Sequence, residues 1–301
     1  MRILSFDIGG TFTKWAIIDI NDKQYQIIYK NKYLTCEYSK DGVYILNTIG
    51  KTAQKLIQHY QFKAVSLSIT GIVDSQKKMV ITPSYIFKNF HRKPIDKIIN
   101  KYIKLPVYCA NDARCALLGE QMFGALKNYH QDSVMLVIGT GIGTALFIDN
   151  KIYDGMSHSA GEGGLLFSNE TNYKLQSNTF NLINNAKKIK NTIFKGEQVL
   201  KLAKTNPLLK NIVNQWYRGI AKGLNDYCYI LNPCNIIIGG AIAESKCFSL
   251  KVLKSWMLKL CVEPKLPIKN VKLLKAKLHS DATLIGAACL SIKNCNQVFF
   301  G

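Results

Sequence analysis

The stretch FDIGGTFTKWAIID at residues 6–19 decides the fold of this chain. It reads as an apolar strand, a Gly/Thr turn and a second apolar strand that ends in Ile-Asp. The same pattern returns at residues 137–149 as VIGTGIGTALFID. Two copies of one strand–turn–strand unit, about half a chain apart, indicate an internal duplication.

Each turn is a candidate cradle for phosphate. Glycine can bring bare N–H groups against an anion, threonine adds a hydroxyl donor, and lysine adds a positive charge. The candidate phosphate ligands are Gly9, Gly10, Thr11, Thr13 and Lys14 in the first turn, and Gly139, Thr140, Gly141, Gly143 and Thr144 in the second. Asp7 has the wrong sign for phosphate but suits a hydrated Mg²⁺ between its carboxylate and the phosphates. The alternative for each turn is an ordinary β-hairpin with glycine in its loop.

Composition limits the class of protein. The chain has 301 residues, of which 48% are hydrophobic, and this is enough for two moderate cores. No apolar run reaches the roughly 18 residues of a membrane span, and the first residues enter a strand without a signal-peptide pattern. We therefore expect a cytoplasmic protein with no membrane partner. The nine cysteines never form a Cys-x-x-Cys pair, which argues against a disulfide framework or a structural zinc site.

The net charge of +21 raises the question of a nucleic-acid partner. Only four of the 40 basic residues are arginine, and the lysines are spread through every segment. Proteins that read nucleic acids usually rely on arginine and on a compact basic face. We therefore expect no nucleic-acid partner, and expect the charge to attract anionic ligands such as ATP.

Strand and helix patterns alternate along the chain and predict an α/β protein. The pattern of the first lobe begins again at residue 133, so we predict lobes at residues 1–116 and 117–281 with a nucleotide in the cleft between them. The C-terminal segment of about residues 282–301, helical from 282 to 292, is expected to pack on the first lobe. We also predict a helix at 95–104 and interpret the polar stretch 169–191 as a surface insertion of low functional weight.

A carboxylate follows a predicted strand at Asn111-Asp112-Ala113-Arg114. Ligands collect at the carboxyl ends of strands in open α/β sheets, so Asp112 is the best candidate for a general base. The alternative is a plain helix N-cap, because Asn and Asp are both favoured there.

Two further motifs suggest ligand contacts. Glu162 stands alone in a run of small residues, and its carboxylate could bind two neighbouring sugar hydroxyls or simply be solvated. Gly239 and Gly240 follow a predicted strand at 235–238, where an adenosine could lie flat on the backbone. A tight β–α turn would explain them nearly as well.

Six ordered motifs now carry a family resemblance: DIGGTFTK, NDARCALLGE, VIGTGIGTALFIDNKIYDG, AGEGG, LNPCNIIIGGAIAE and LHSDATLIGAA. Together they resemble the ROK family of sugar kinases within the actin-like ATPase superfamily. The resemblance implies a two-lobed fold of duplicated ribonuclease H-like domains, with ATP and Mg²⁺ in the cleft. It implies that Asp112 draws the proton from a sugar hydroxyl, usually the 6-OH, and that Asn111 and Glu162 bind the sugar. Gly71 and Asn89 fall where relatives often line the sugar pocket.

The chain departs from the family pattern at the zinc site. Leu165 stands where most members have a zinc-binding His, and no cysteine lies between Cys115 and Cys228. Zinc is therefore not expected, and the chain resembles the zinc-less branch that includes bacterial β-glucoside kinases. Family repressors carry a helix-turn-helix ahead of the first hairpin, which here begins at residue 2, so a repressor role is disfavoured.

The sequence therefore predicts an ATP- and Mg²⁺-dependent kinase of a hexose or hexose-containing glycoside. The alternative is a catalytically weak sugar-sensing protein with the same fold. Relatives often form homodimers, and a homodimer is expected on that ground alone.

Overall fold

The computed structural model describes residues 1–35, 40–82, 87–127, 129–165, 167–168, 171–172, 177–190 and 195–292. They form two compact units. Unit 1 comprises Met1–Tyr129, Asp154–Ala160 and the described residues from Asp281 onward, and unit 2 comprises His130–Tyr153 and Gly161–Ser280.

Both units combine sheets with helices. The strands are β1 (Arg2–Ile8), β2 (Phe12–Ile20), β3 (Tyr25–Leu34), β4 (Ala64–Ile69), β5 (Val73–Asp74), β6 (Met79–Val80), β7 (Val107–Asn111), β8 (Ser133–Ile138), β9 (Ile142–Ile148), β10 (Lys151–Tyr153), β11 (Phe167–Ser168), β12 (Thr171–Asn172), β13 (Asn235–Gly239) and β14 (Lys272–Lys275). The helices are α1 (Gly42–Tyr60), α2 (Ile95–Ile99), α3 (Asp112–Phe123), α4 (Thr179–Ile189), α5 (Gly196–Leu202), α6 (Pro207–Leu231), α7 (Ala241–Glu244), α8 (Leu250–Leu260), α9 (Leu266–Asn270) and α10 (Ala282–Cys289).

The main sheet of unit 1 has the strand order β3-β2-β1-β4-β7. The first hairpin is antiparallel, whereas β1, β4 and β7 run parallel. The carboxyl ends of those three strands therefore meet at one edge of the sheet, and register places Asp7 opposite Ser68 and Ile69 opposite Asn111. This edge carries the candidate catalytic carboxylates.

Helix α1 covers one face of this sheet because its apolar residues recur at helical spacing. Ile45, Leu46, Ile49 and Ala53 are buried against a core that includes Leu67 of β4. The helix begins after Asp41, whose carboxylate accepts the backbone N–H of Tyr44 at 3.0 Å. This cap provides a partner for one of the N–H groups that a helix start leaves open.

Helix α10 contacts α3 and β1 within unit 1. A Cβ built on Gly286 would lie 1.6 Å from the carbonyl oxygen of Cys115, so only glycine permits this approach of the two helices. Small polar residues on β1 match this close packing, since the Ser5 hydroxyl donates to the Leu284 carbonyl at 2.7 Å. The face of the sheet opposite α1 is thus closed by α10 and α3.

The main sheet of unit 2 repeats this arrangement in the order β10-β9-β8-β13-β14. An antiparallel hairpin, β8–β9, again stands beside two parallel strands, β13 and β14. The predicted α/β fold and the repeat of the hairpin are confirmed. No described helix has both the length and the apolar character needed to cross a membrane.

Two predicted helices need correction, and one strand was not predicted. The helix expected at 95–104 ends at Ile99, and the chain then turns so that the ring of Tyr102 faces Gly50 and its hydroxyl donates to Asn47. The C-terminal helix ends at Cys289 rather than at 292. Strand β14 was not predicted, because it is a short lysine-rich strand with only partly buried side chains at the sheet edge.

The stretch 169–191, interpreted from the sequence as a surface insertion, contains a capped helix. Helix α4 begins after Asn178, whose side chain accepts the N–H of Asn181 at 2.7 Å, and it buries Leu182 and Ala186. The indole N–H of Trp216 donates to the Ser177 carbonyl at 2.8 Å. Residues 169–170, 173–176 and 191 lie outside the described part of the chain.

Candidate active site

Asp7 lies near the end of β1 among polar groups from two neighbouring strands. Its Oδ1 accepts a hydrogen bond from the Ser68 hydroxyl of β4 at 3.0 Å, and its Oδ2 lies 3.6 Å from Lys14 Nζ of β2. The carboxylate is therefore fixed in direction and partly balanced in charge. Sequence reasoning missed Ser68, although Ser66, Ser68 and Thr70 alternate along an otherwise apolar strand and place polar groups on one face.

Asp112 is the first residue of α3, directly after β7. Its Oδ2 accepts the Thr70 hydroxyl at 3.1 Å, and its Oδ1 accepts the Ala113 N–H at 2.8 Å. Thr70 lies just past the end of β4, so the sheet itself brings the two residues together. Both carboxylate oxygens are oriented, and the side chain is partly accessible.

Asn111, and not Asp112, is the helix cap. Its Oδ1 accepts the N–H of Arg114 at 3.2 Å, and its Nδ2 donates to the Gly71 carbonyl at 3.0 Å. The N-cap alternative therefore applies to Asn111, which is buried. Asp112 is therefore not the helix cap. The hydrogen bond from the Asn111 amide also connects Gly71 to the site.

Cys115 lies beneath these carboxylates, one turn along α3. Burial raises the pKa of its thiol well above the usual value, and the charges of Asp112 and Asp7 raise it further. The thiol therefore stays neutral and adds no negative charge near the two acids.

The first Gly/Thr turn exposes Gly10 and Thr11 and hides Thr13. The Thr13 hydroxyl lies 3.0 Å from that of Thr35, which in turn donates to the Gly9 carbonyl at 2.7 Å. Thr13 is on the opposite face of β2 from Lys14 because side chains alternate along a strand. Its role is to hold the turn, and this leaves Gly9, Gly10, Thr11 and Lys14 for an anion.

The second Gly/Thr turn, in unit 2, also has exposed and buried residues. Thr140 is exposed, and among the described residues a Cβ on Gly139 would meet the Gly141 carbonyl oxygen at 3.9 Å, an ordinary van der Waals distance. The Gly139 carbonyl accepts the Thr179 N–H at 2.9 Å. The start of α4 therefore contacts the turn, which the sequence did not suggest.

Thr144 is buried and supports the loop of Glu162. Its Oγ1 bonds the Gly161 carbonyl, accepts the Gly163 N–H at 3.0 Å and lies 3.0 Å from the Tyr227 hydroxyl. Burial raises the pKa of Tyr227, although its bond to Thr144 acts the other way. Glu162 itself is exposed. Thr144 therefore lies away from the exposed part of the turn, and Tyr227 is a support residue that sequence reasoning missed.

Gly240 has a structural reason to be glycine. Its φ is +97°, and a Cβ there would lie 2.2 Å from the Ile138 carbonyl oxygen. Gly239 is buried beside Met135. The tight-turn alternative thus accounts for Gly240, and adenosine binding by this pair stays a prediction.

Asn89 is held at the start of α1. It is exposed, has a φ of +51°, and donates to Asp41 Oδ2 at 2.7 Å. The hydrogen bonds from Asn89 and from the Tyr44 N–H lower the pKa of Asp41. The described contacts link Asn89 to this helix cap and give no link to Asp112.

The donor set of unit 1 fits a hydrated Mg²⁺ beside phosphates. Asp7 offers the hard oxygen that this ion prefers, and Lys14 with the exposed residues Gly10 and Thr11 offers an anion the opposite charge and an accessible backbone. Within the described ranges, no group of three or more His, Cys, Asp or Glu residues could hold a metal by itself. A carboxylate acting through water requires no such cluster.

Comparison with known proteins gives the family. The sequence profile of the ROK family matches residues 3–174 and 177–294. The chain belongs to the ROK family. Among curated ROK relatives, a beta-glucoside kinase of Listeria innocua is 28% identical over 260 residues, which cover 82% of this chain and 85% of the relative.

Two other ROK proteins frame the range of functions. A xylose repressor of Bacillus spizizenii is 27% identical over 248 residues, or 78% of this chain and 62% of the repressor. The structure of a ROK family glucokinase from Streptomyces griseus in complex with glucose and AMPPNP superposes with a TM-score of 0.79. It is 21% identical and covers 96% of this chain and 99% of its own. This likeness supports the fold.

Proposed function

We propose that this ROK protein is an ATP-dependent carbohydrate kinase that phosphorylates the 6-hydroxyl of a hexose or hexose-containing glycoside. One observation carries the proposal: Asp7 near the end of β1 and Asp112 directly after β7 lie on either side of β4, and each is oriented by a hydroxyl, that of Ser68 in β4 or that of Thr70 just past its end. Two carboxylates at the same edge of a sheet can serve different tasks. One can bind a metal ion through water, and the other can accept a proton.

Asp112 is the proposed base. Phosphoryl transfer mainly requires alignment and charge neutralisation, so a fixed carboxylate that accepts the hydroxyl proton as the new bond forms is sufficient. The Thr70 hydroxyl and the Ala113 N–H fix both carboxylate oxygens in direction, and a carboxylate oxygen can accept more than one hydrogen bond. Asn111 and Glu162 are proposed to bind sugar hydroxyls, with Gly71 and Asn89 at the edge of the pocket.

Two phosphate-binding turns are proposed for ATP. Gly9, Gly10, Thr11 and Lys14 are assigned to the first turn, and Gly139, Thr140, Gly141 and Gly143 to the second. Thr13 is assigned a supporting role, and Gly239 and Gly240 remain assigned to the adenosine. When bound through water at Asp7, Mg²⁺ would neutralise part of the phosphate charge.

The substrate class follows the relatives of the zinc-less branch. Leu165 replaces the zinc-binding His and is exposed, so it supplies no polar contact to a sugar. The similarity to a named beta-glucoside kinase favours a glycoside such as cellobiose over a free hexose. We expect a cytoplasmic enzyme and a homodimer, both of which stay predictions.

Sugar sensing without turnover is the second candidate function. The similarity to xylose repressors favours it, because those relatives share most of this chain. Against it stands the presence of Asp7, Asp112, Glu162 and both turns.

Turnover by an Asp112→Asn variant tests the proposal. The measurement is ADP release with MgATP against glucose, mannose, fructose, N-acetylglucosamine, N-acetylmannosamine and cellobiose. We expect kcat to fall by roughly 10²- to 10⁴-fold in the variant, with sugar binding retained in calorimetry. Asp96→Asn, in α2 and outside the site, is the matched control and should keep wild-type turnover. Sugar binding by a wild-type protein that never releases ADP would support the sensor instead.

A further inference from the structure

A short segment of unit 1, Asp154–Ala160, is held by charged groups. It follows β10 directly and contains no helix or strand. Arg114 of α3 donates to its backbone, and the imidazole of His158 contacts Asp154 within the segment and Asp74 outside it. In sequence it leads directly into Gly161 and Glu162.

Arg114 stands two residues after Asp112 on α3 and is 3% exposed. Its Nη2 donates to the carbonyl oxygens of His158 at 2.8 Å and Ala160 at 3.2 Å. Its own N–H is capped by Asn111. The helix that presents the proposed base is therefore tied, through one buried guanidinium, to the backbone of the segment before Glu162.

His158 makes the second attachment. Its Nδ1 lies 2.6 Å from Asp154 Oδ2, and its Nε2 lies 3.5 Å from Asp74 Oδ2. Asp74 is 3% exposed, and its Oδ1 accepts the backbone N–H groups of Gln76 and Lys77. Lys77 Nζ lies 3.8 Å from Asp74 Oδ2, the oxygen that faces His158. Asp154, within the segment, and Asp74, outside it, are thus the two carboxylates that the described contacts place beside the imidazole, while Lys77 contacts Asp74 and Arg114 bonds the His158 carbonyl.

The backbone of His158 supports a functional reading of this cluster. Its φ is +54°, which L residues other than glycine adopt uncommonly and only when surrounding contacts hold them there. Replacing a buried charged network by apolar residues is often neutral or stabilising, so fold stability alone gives weak reason for one here. A network that fixes one conformation is the better explanation.

We propose that Arg114 and His158 are positioning residues for sugar binding. Arg114 holds the carbonyls of His158 and Ala160, and the His158 imidazole lies between Asp154 and Asp74. Together they fix the conformation of the chain that leads into Glu162, and neither touches the sugar. In unit 2, Thr144 bonds Gly161 and Gly163 on either side of Glu162. This inference rests on the proposed function, because it takes Glu162 as a sugar ligand.

Paired variants test the idea. Arg114→Met keeps an apolar stem and removes the donors, whereas Arg114→Lys keeps a charge and donors for the two carbonyls. His158→Ala removes both carboxylate contacts, whereas His158→Asn keeps one donor and tolerates positive φ. Arg218→Met, an exposed arginine on α6, is the matched control.

We expect Arg114→Met and His158→Ala to raise the sugar KM about tenfold or more, since every 1.4 kcal/mol of binding is a factor of ten. The ATP KM and kcat should stay within about threefold of the wild type. Arg114→Lys and His158→Asn should recover most of the sugar affinity, and Arg218→Met should match the wild type. Equal losses for sugar and ATP would indicate general damage and overturn the proposal.

Hydrogen exchange of the amides in residues 155–164 provides a readout independent of turnover. Arg114→Met and His158→Ala should exchange faster in this segment, with melting temperatures confirming that each variant folds. Unchanged exchange overturns the positioning role, as does faster exchange with an unchanged sugar KM. A wild-type protein that shows no turnover refutes the proposed function, and sugar titration by calorimetry on the same variants then decides the positioning role by itself.

Discussion

At the residue scale, the hydroxyl of Thr70 decides how well Asp112 is aimed. It is the side-chain donor described for Asp112 Oδ2, at 3.1 Å. Thr70→Val keeps the shape of the side chain and removes that donor. Because misorientation of a catalytic group costs rate, we expect kcat to fall by about tenfold, while the sugar KM changes by less than about threefold.

Thr48→Val provides the control for this exchange. Thr48 lies on the exposed side of α1, where its hydroxyl donates to the Tyr44 carbonyl within the same helix. It should keep wild-type kcat. If Thr70→Val turned over at the wild-type rate, Asp112 would need no orientation by β4.

The same residues show what the sequence could reveal. Asp7, Asn111 and Asp112 were predicted because each follows an apolar strand and local pattern is visible in one dimension. Ser68 and Thr70 were missed because their partners lie 61 and 42 positions away, and only strand register brings them together. Thr13 and Thr144 have the right residue type, but alternation along each strand turns them inward.

At the scale of elements, two glycines of unit 2 should affect different properties. We expect Gly240 to matter for the stability of the fold and Gly139 for the binding of ATP. Gly240 directly follows β13 with positive φ, and a Cβ would overlap the Ile138 carbonyl. We expect Gly240→Ala to lower the free energy of unfolding by about 3 kcal/mol, as strain and overpacking in a native core do. A Cβ on Gly139 in the β8–β9 turn would instead lie at an ordinary van der Waals distance from the Gly141 carbonyl oxygen, so Gly139→Ala should change stability by less than about 0.5 kcal/mol.

The two variants should also differ in their ATP KM, where Gly139→Ala should show the larger change. A methyl group on Gly139 would stand where the proposed phosphate approaches, so its ATP KM should rise by about tenfold or more. Urea unfolding and ATP kinetics on the same preparations check both. A stable Gly139→Ala protein with a wild-type ATP KM would remove this turn from the phosphate site.

Elements also differ in how visible they are to sequence reasoning. Helix α6, Pro207–Leu231, can be identified in the sequence itself by its proline start and its long apolar stripe. Strand β14 owes its existence to pairing with β13, and α4 owes much of its burial to Trp216 and the second turn. The local sequences of β14 and α4 do not reveal these pairing and packing partners.

At the scale of the whole molecule, the charge of +21 should act on ATP and not on sugar. MgATP carries net negative charge, so an excess of lysine raises its encounter rate through a long-range field that salt screens. Between about 20 and 200 mM salt, we expect kcat/KM for MgATP to fall roughly fivefold. The sugar is neutral, so its KM should not change, and this comparison within one protein is the control. An equal fall for both substrates would mean that salt acts on the fold or on the chemical step, and that the basic surface plays no part in attracting the nucleotide.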